Sequence, residues 1–109
     1  MKEQQIVTIY TFKTTPEASR EAFLDANQKL TRFLAEQPGF HYRSVGQESK
    51  SEYWVDVVYW ESASAADHAN CEFMSSPCSQ EFMRMVDHDS LSVQRIRVDF
   101  SSCQLQETA

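Results

Sequence analysis

Four strand-like stretches and two helical regions, in the order β-α-β-β-α-β, predict an α+β domain with one antiparallel sheet. Three observations lead there. The stretch Glu52–Ser62, E-Y-W-V-D-V-V-Y-W-E-S, places two tryptophans, two tyrosines and three valines between polar ends. Those residue types suit a pleated, packed strand. An apolar stripe with helical spacing follows the first strand. A short polar turn, Ser49-Lys50-Ser51, joins the second strand to the central one as a hairpin.

Length and composition bound the rest. A chain of 109 residues, 41% hydrophobic, is one domain, assigned to residues 1–100 with a polar tail at 101–109. Its core is small, and small domains gain from oligomerisation. A formal charge of −6 argues against a nucleic-acid backbone as partner, since such sites need a basic face. The apolar runs fall far short of the ~20 residues of a membrane span, so no membrane partner is expected. M-K-E-Q-Q-I-V-T-I lacks the apolar core of a signal peptide, which predicts a cytoplasmic protein. Three cysteines in such a setting are expected to be reduced thiols.

Gln5–Lys13 is the first strand, with Ile6, Thr8, Tyr10 and Phe12 on one face and Val7, Ile9 and Thr11 on the other. Thr15 as N-cap and Pro16 at the first helical position open a helix running to about Gln37. Phe23, Ala26, Asn27, Leu30, Phe33 and Leu34 form its buried stripe. Pro38-Gly39 stops it. Phe40–Glu48 is the second strand, with Phe40, Tyr42 and Ser44 opposite His41, Arg43 and Val45. On the central strand Tyr53, Val55, Val57 and Tyr59 oppose Trp54, Asp56, Val58 and Trp60. Ser62 caps the second helical region, whose Ala65, Ala66, Ala69 and Phe73 point inward. Ser75-Ser76-Pro77 interrupts it, and a further segment spans Cys78–Val86. Asp87–Ser90 reads as a loop and Leu91–Phe100 as the last strand, with Ile96, Val98 and Phe100 on one face. The tail from Ser101 is polar and expected to be mobile.

This order is the split βαβ, or ferredoxin-like, arrangement, with both helical regions on one side of the sheet. The other side then carries large apolar residues, which a monomer does not leave in water. A homodimer paired through its sheet faces is the economical solution.

V-D-V-V-Y-W-E-S before an Ala-rich helix, the broken second helix, and E-Q-P-G-F before the second strand resemble the dimeric α+β barrel superfamily. More narrowly, roughly Gln5–Phe100 resembles the antibiotic-biosynthesis-monooxygenase-like proteins. The resemblance implies a sheet-paired homodimer and a pocket between sheet and helices for an aromatic or apolar small molecule. It implies, as one activity, cofactor-independent monooxygenation of an aromatic compound; a non-catalytic binding or structural homodimer is the alternative. Trp60 matches the tryptophan that ends the third strand in catalytic relatives and lines their pocket. Haem-degrading relatives carry an Asn on the first strand and a His on the second helix. Here Tyr10 stands at the first position and no histidine lies near Gln80–Met83, so haem degradation is disfavoured.

Asp56 shares its face with both tryptophans. A carboxylate there must be paired, hydrogen-bonded or neutral. It is a candidate base for a phenolic substrate, or one half of an ion pair with Arg43, Arg95 or Arg97. His41, after Gly39-Phe40, is a second candidate base or a rim residue. Trp60, Trp54, Tyr10 and Tyr59 are candidate substrate contacts, with the dimer side as the alternative placement of Tyr59. D-H-D at Asp87–Asp89 supplies too few constraints for a metal site. Cys71 and Cys78 form no CxxC pair. No glycine-rich phosphate loop, nucleophile elbow or H-E-x-x-H is present, so no cofactor and no metal are expected.

Overall fold

A computed structural model describes residues 4–101. The elements are β1 (Ile6–Thr14), α1 (Arg20–Ala35), β2 (Phe40–Gln47), β3 (Trp54–Trp60), α2 (Ala63–Ser75), α3 (Pro77–Arg84) and β4 (Val86–Arg97). The sheet order is β2-β3-β1-β4, antiparallel throughout. The expected α+β, ferredoxin-like arrangement is present. The tail expected beyond Ser101, with Cys103, lies outside the described residues.

The register decides which face meets the helices. Ile6, Thr8, Tyr10 and Phe12 stand opposite Trp60, Val58, Asp56 and Trp54. On β3 those four are buried and the residues between them half-buried. All three helices contribute to the core on the Trp54 face. Phe12, Phe23, Trp54 and Phe82 form its aromatic end, with Phe23 centred 4.7 Å from Trp54 and 5.4 Å from Phe82. Each such ring, buried to a few per cent, contributes roughly 1.5–3 kcal/mol.

Three local expectations are corrected. Helix α1 begins at Arg20, because Ser19 is the cap: its hydroxyl accepts the Ala22 N–H at 3.0 Å. Thr15 instead donates its N–H to the Met85 carbonyl, and Pro16 sits in a turn closed by Ala18 N–H to Thr15 O at 3.1 Å. On β2 a bulge between Phe40 and Tyr42 reverses the alternation. Phe40 therefore packs against Trp60 on the helix side, at 5.7 Å. Tyr42 stacks on Tyr59 on the opposite side, at 4.6 Å and 16°. Finally, Asp87–Ser90 is strand, not loop; β4 starts at Val86, and a register shift between Thr11 and Lys13 absorbs the irregularity. An edge strand can carry solvated polar residues and still pair.

The break between α2 and α3 falls where Pro77 predicts it, with Pro77 in the first turn of α3. Ser62 caps α2 through the Ala65 N–H at 3.1 Å. The side of the sheet away from the helices carries Ile9, Val55, Val57 and Tyr59, half-buried, and Tyr42 and Ile96, exposed.

Candidate functional site

Between the sheet and helices α1–α3 lies a cavity of about 190 Å³. Leu30 and Leu34 of α1, Phe82 of α3 and Val86 wall its apolar interior. The roof is α2, where Ala66 and Ala69 present only methyl groups. Small side chains there leave room that a leucine would fill. The floor is the sheet: Thr8 and Tyr10 from β1, Asp56, Val58 and Trp60 from β3. The mouth lies between α2 and β4, where the exposed Asn70 and Arg95 reach the lining.

The floor holds the only buried ion pair among the described residues. Arg43 donates Nε–H to Asp56 Oδ1 at 3.0 Å and Nη2–H to Oδ2 at 2.7 Å. The two side chains are 1% and 6% exposed. Arg43 also donates to Asn27 Oδ1, to the Asn27 carbonyl and to Thr31 Oγ1 on α1. Every N–H of the guanidinium thus has an acceptor. Of the three strand arginines offered by the sequence as Asp56 partners, Arg43 is the one used. Arg95 pairs with Asp67 of α2 at 2.8 Å, and Arg97 with Asp99 at 3.5 Å.

Tyr10 stands directly across the ladder from Asp56. Burial raises its phenol pKa above the ordinary value, and the Asp56 carboxylate raises it further; Arg95 and Arg43 act in the opposite direction. The hydroxyl therefore stays protonated and available as a donor at neutral pH.

Three of the six predicted site residues come together here: Tyr10, Asp56 and Trp60. Trp54 lies outside the cavity, packed between Phe23 and the Arg20 guanidinium, the latter 5.2 Å from its ring. Tyr59 lies on the opposite face, stacked on Tyr42. His41 sits exposed at the β2 bulge, with Nδ1 2.7 Å from Gln5 Nε2, and does not line the cavity. Its displacement follows from the bulge, which no composition signal announces. Asn70, Met83 and Arg95 also line the site, and sequence reading did not place them there. Among the described residues no group of three His, Cys, Asp or Glu gathers as a metal site, and His88 lies 3.0 Å from the Met83 carbonyl. Among the described residues no helix is long and apolar enough to cross a membrane.

The architecture is that of a known class of folds. SnoaB, a cofactor-independent oxygenase from Streptomyces nogalater, matches in a variant form with a TM-score of 0.76 at 14% identity, covering 90% of this chain and 96% of that one. Rv0793 from Mycobacterium tuberculosis matches with a TM-score of 0.70 at 14% identity, covering 90% and 98%. A candidate antibiotic biosynthesis monooxygenase from Chloroflexus aurantiacus matches with a TM-score of 0.66 at 16% identity, covering 89% and 95%. No family model and no curated protein matches the chain. At these identities the likeness is one of fold: the protein shares the fold of SnoaB and of the Chloroflexus aurantiacus protein, the fold its sequence resemblance implies.

Proposed function

We propose that the protein is a cofactor-independent monooxygenase that takes a one- or two-ring phenol into the cavity. The observation that supports this most is the cavity itself: apolar walls about 190 Å³ in extent, with one polar corner formed by Tyr10, Asp56 and Arg95. An apolar cavity of ~150 Å³ holds a benzene ring. The polar corner orients a ring hydroxyl. The activity of the structurally similar SnoaB, oxygenation without a cofactor, points the same way.

In this reading Trp60 sets the plane of the ring and Asp56 takes the hydroxyl proton. The phenolate passes one electron to O₂, and the radical pair joins at the ring carbon para to the oxygen. The proton held on Asp56 returns to the peroxide, which loses water to leave a quinone. One phenol and one O₂ give one quinone and one water, with the substrate as sole reductant. The apolar walls limit the water around the intermediates. His41, exposed and held by Gln5, has no part in it. A homodimer paired through the Val57 and Tyr59 face completes the assembly.

A second reading, a non-catalytic aromatic-binding homodimer, is favoured by one feature. Both Asp56 oxygens already accept hydrogens from Arg43, so no carboxylate facing the cavity is free of a partner. Oxygen uptake separates the two. Purified protein is mixed with one- and two-ring phenols, without added cofactor, and oxygen consumption is followed with ¹⁸O₂ product analysis. Enzyme-dependent uptake with one label in the quinone, lost in Asp56→Asn, supports the monooxygenase. Binding without uptake above autoxidation leaves the binding protein.

A further inference from the structure

The two cavity-level arginines differ in one respect that bears on what the cavity selects. Arg43, Val58, Thr8 and Arg95 form one continuous rung across the sheet, a guanidinium at each end. Every donor of Arg43 is engaged, and the charge of Asp56 is matched by it. Arg95 has one hydrogen-bond partner among the described residues, Asp67 Oδ1, reached through Nη1. Its remaining donors have none.

The Arg95–Asp67 pair is also loosely held. The side chains are 38% and 67% exposed. Exposed pairs of this kind contribute little to stability and are easily exchanged. Asp67 stands on α2, three residues before the mouth residue Asn70, and Arg95 on β4, so the pair spans the side of the cavity open to solvent. The groups around a ligand oxygen in that corner are Tyr10 from β1, Asp56 from β3 with its partner Arg43 from β2, and Asp67 from α2. With Asp56 matched by Arg43, the positive charge of the corner that only an exposed partner holds is that of Arg95.

We propose that Arg95 is the charge-selecting residue of the cavity, binding the aromatic ligand as its phenolate, and that Asp67 competes with the ligand oxygen for Arg95. This rests on the cavity being the ligand site, as proposed above. A guanidinium at an apolar mouth favours the ionised form of a neighbouring phenol. The neutral Tyr10 hydroxyl supplies a second donor to the same oxygen. A phenolate spreads its charge into the ring, whereas a carboxylate brings two strongly hydrated oxygens beside Asp56. The corner therefore suits the first better.

The probe is 4-nitrophenol, whose anion is yellow, so binding and ionisation are read together. It is titrated through its pKa with wild-type protein, Arg95→Gln, Arg95→Lys and Asp67→Asn, with equilibrium dialysis giving bound fractions. Wild type is expected to bind the anion about tenfold more tightly than the neutral phenol, lowering the bound pKa by about one unit. Arg95→Gln is expected to abolish that preference, the anion losing about tenfold more affinity than the neutral phenol. Arg95→Lys keeps part of it, and Asp67→Asn increases it. Equal anion preference in wild type and Arg95→Gln overturns the proposal while leaving the cavity as a ligand site. Loss of anion preference in Asp67→Asn overturns the competition. Benzoate displacing nitrophenolate with equal or greater strength overturns the phenolate assignment. If neither form of 4-nitrophenol nor benzoate binds wild type, the cavity reading fails as well.

Discussion

Arg43 and Asp56 meet fork to fork across the β2–β3 hairpin, beneath α1 and at the floor of the cavity. The pair ties three elements, since the same guanidinium reaches Asn27 and Thr31 on α1. Removing one partner leaves a buried charge without a match, which typically costs about 3–5 kcal/mol. Arg43→Met is expected to lose that much in urea unfolding. The double variant Arg43→Met/Asp56→Leu is expected to recover most of it, because a well-packed apolar pair needs no counter-charge. A single-variant loss under about 1 kcal/mol would show that water reaches the pair.

Tyr10 gives the molecule an alkaline limit. Its phenol titrates above the ordinary value in the fold, through burial first and the Asp56 charge second. Between the unfolded and folded values the unfolded chain has lost a proton that the native protein keeps. Stability is therefore fully present below the ordinary tyrosine pKa of about 10 and falls as pH rises through the folded value. Chemical denaturation at a series of alkaline pH values should show this decline, and Tyr10→Phe should flatten it. A decline of the same steepness in Tyr10→Phe would assign it to another group.

Much of this was legible in the sequence, and the misses share a cause. The element order and the two faces of β3 follow from alternation in one apolar stretch, and Pro77 marks the break between α2 and α3. The bulge at His41 did not show, because a single inserted residue leaves composition unchanged while turning every following side chain over. That is why Tyr42 lies with Tyr59 and why Arg43 points inward at Asp56. Thr15-Pro16 and Ser19 are both good helix starts. The choice between them is made by Met85, whose carbonyl takes the Thr15 N–H from far along the chain. Asp56 was recognisable as a buried carboxylate, but which arginine answers it depends on register. Arg95 reaches the cavity mouth only because β4 pairs with β1 at Thr8.

The sheet face away from the helices provides a test of assembly. Ile9, Val55, Val57 and Tyr59 lie there, half-buried, beside the exposed Tyr42 and Ile96. Val57→Asp places a charge at the middle of that face and no polar atom in the helix-side core. If the face pairs with a second copy, wild type should run as a dimer in light scattering and Val57→Asp as a folded monomer with unchanged far-ultraviolet circular dichroism. A monomeric wild type would remove the sheet-paired dimer from the proposal.

Gly39 links the backbone to the cavity roof. Its φ is +83°, a conformation that favours glycine. A Cβ built on it would lie 2.5 Å from the Ala65 Cβ, at the start of α2. The Gly39 carbonyl also accepts the Glu61 N–H at 2.7 Å, so the chain entering β2 holds the chain entering α2. Gly39→Ala meets both constraints. The backbone alone costs about 1–3 kcal/mol, and the clash with Ala65 adds to it or pushes α2 outward. Gly39→Ala/Ala65→Gly removes the clash and keeps the strained φ, so the two variants, with Ala65→Gly alone to close the cycle, measure the contact in denaturant unfolding. Because Ala66 and Ala69 of the same helix roof the cavity, the outward shift should weaken aromatic binding in Gly39→Ala more than in the double variant. Equal affinity in the two would mean that α2 is held in place by its other contacts and that Gly39 acts on stability alone.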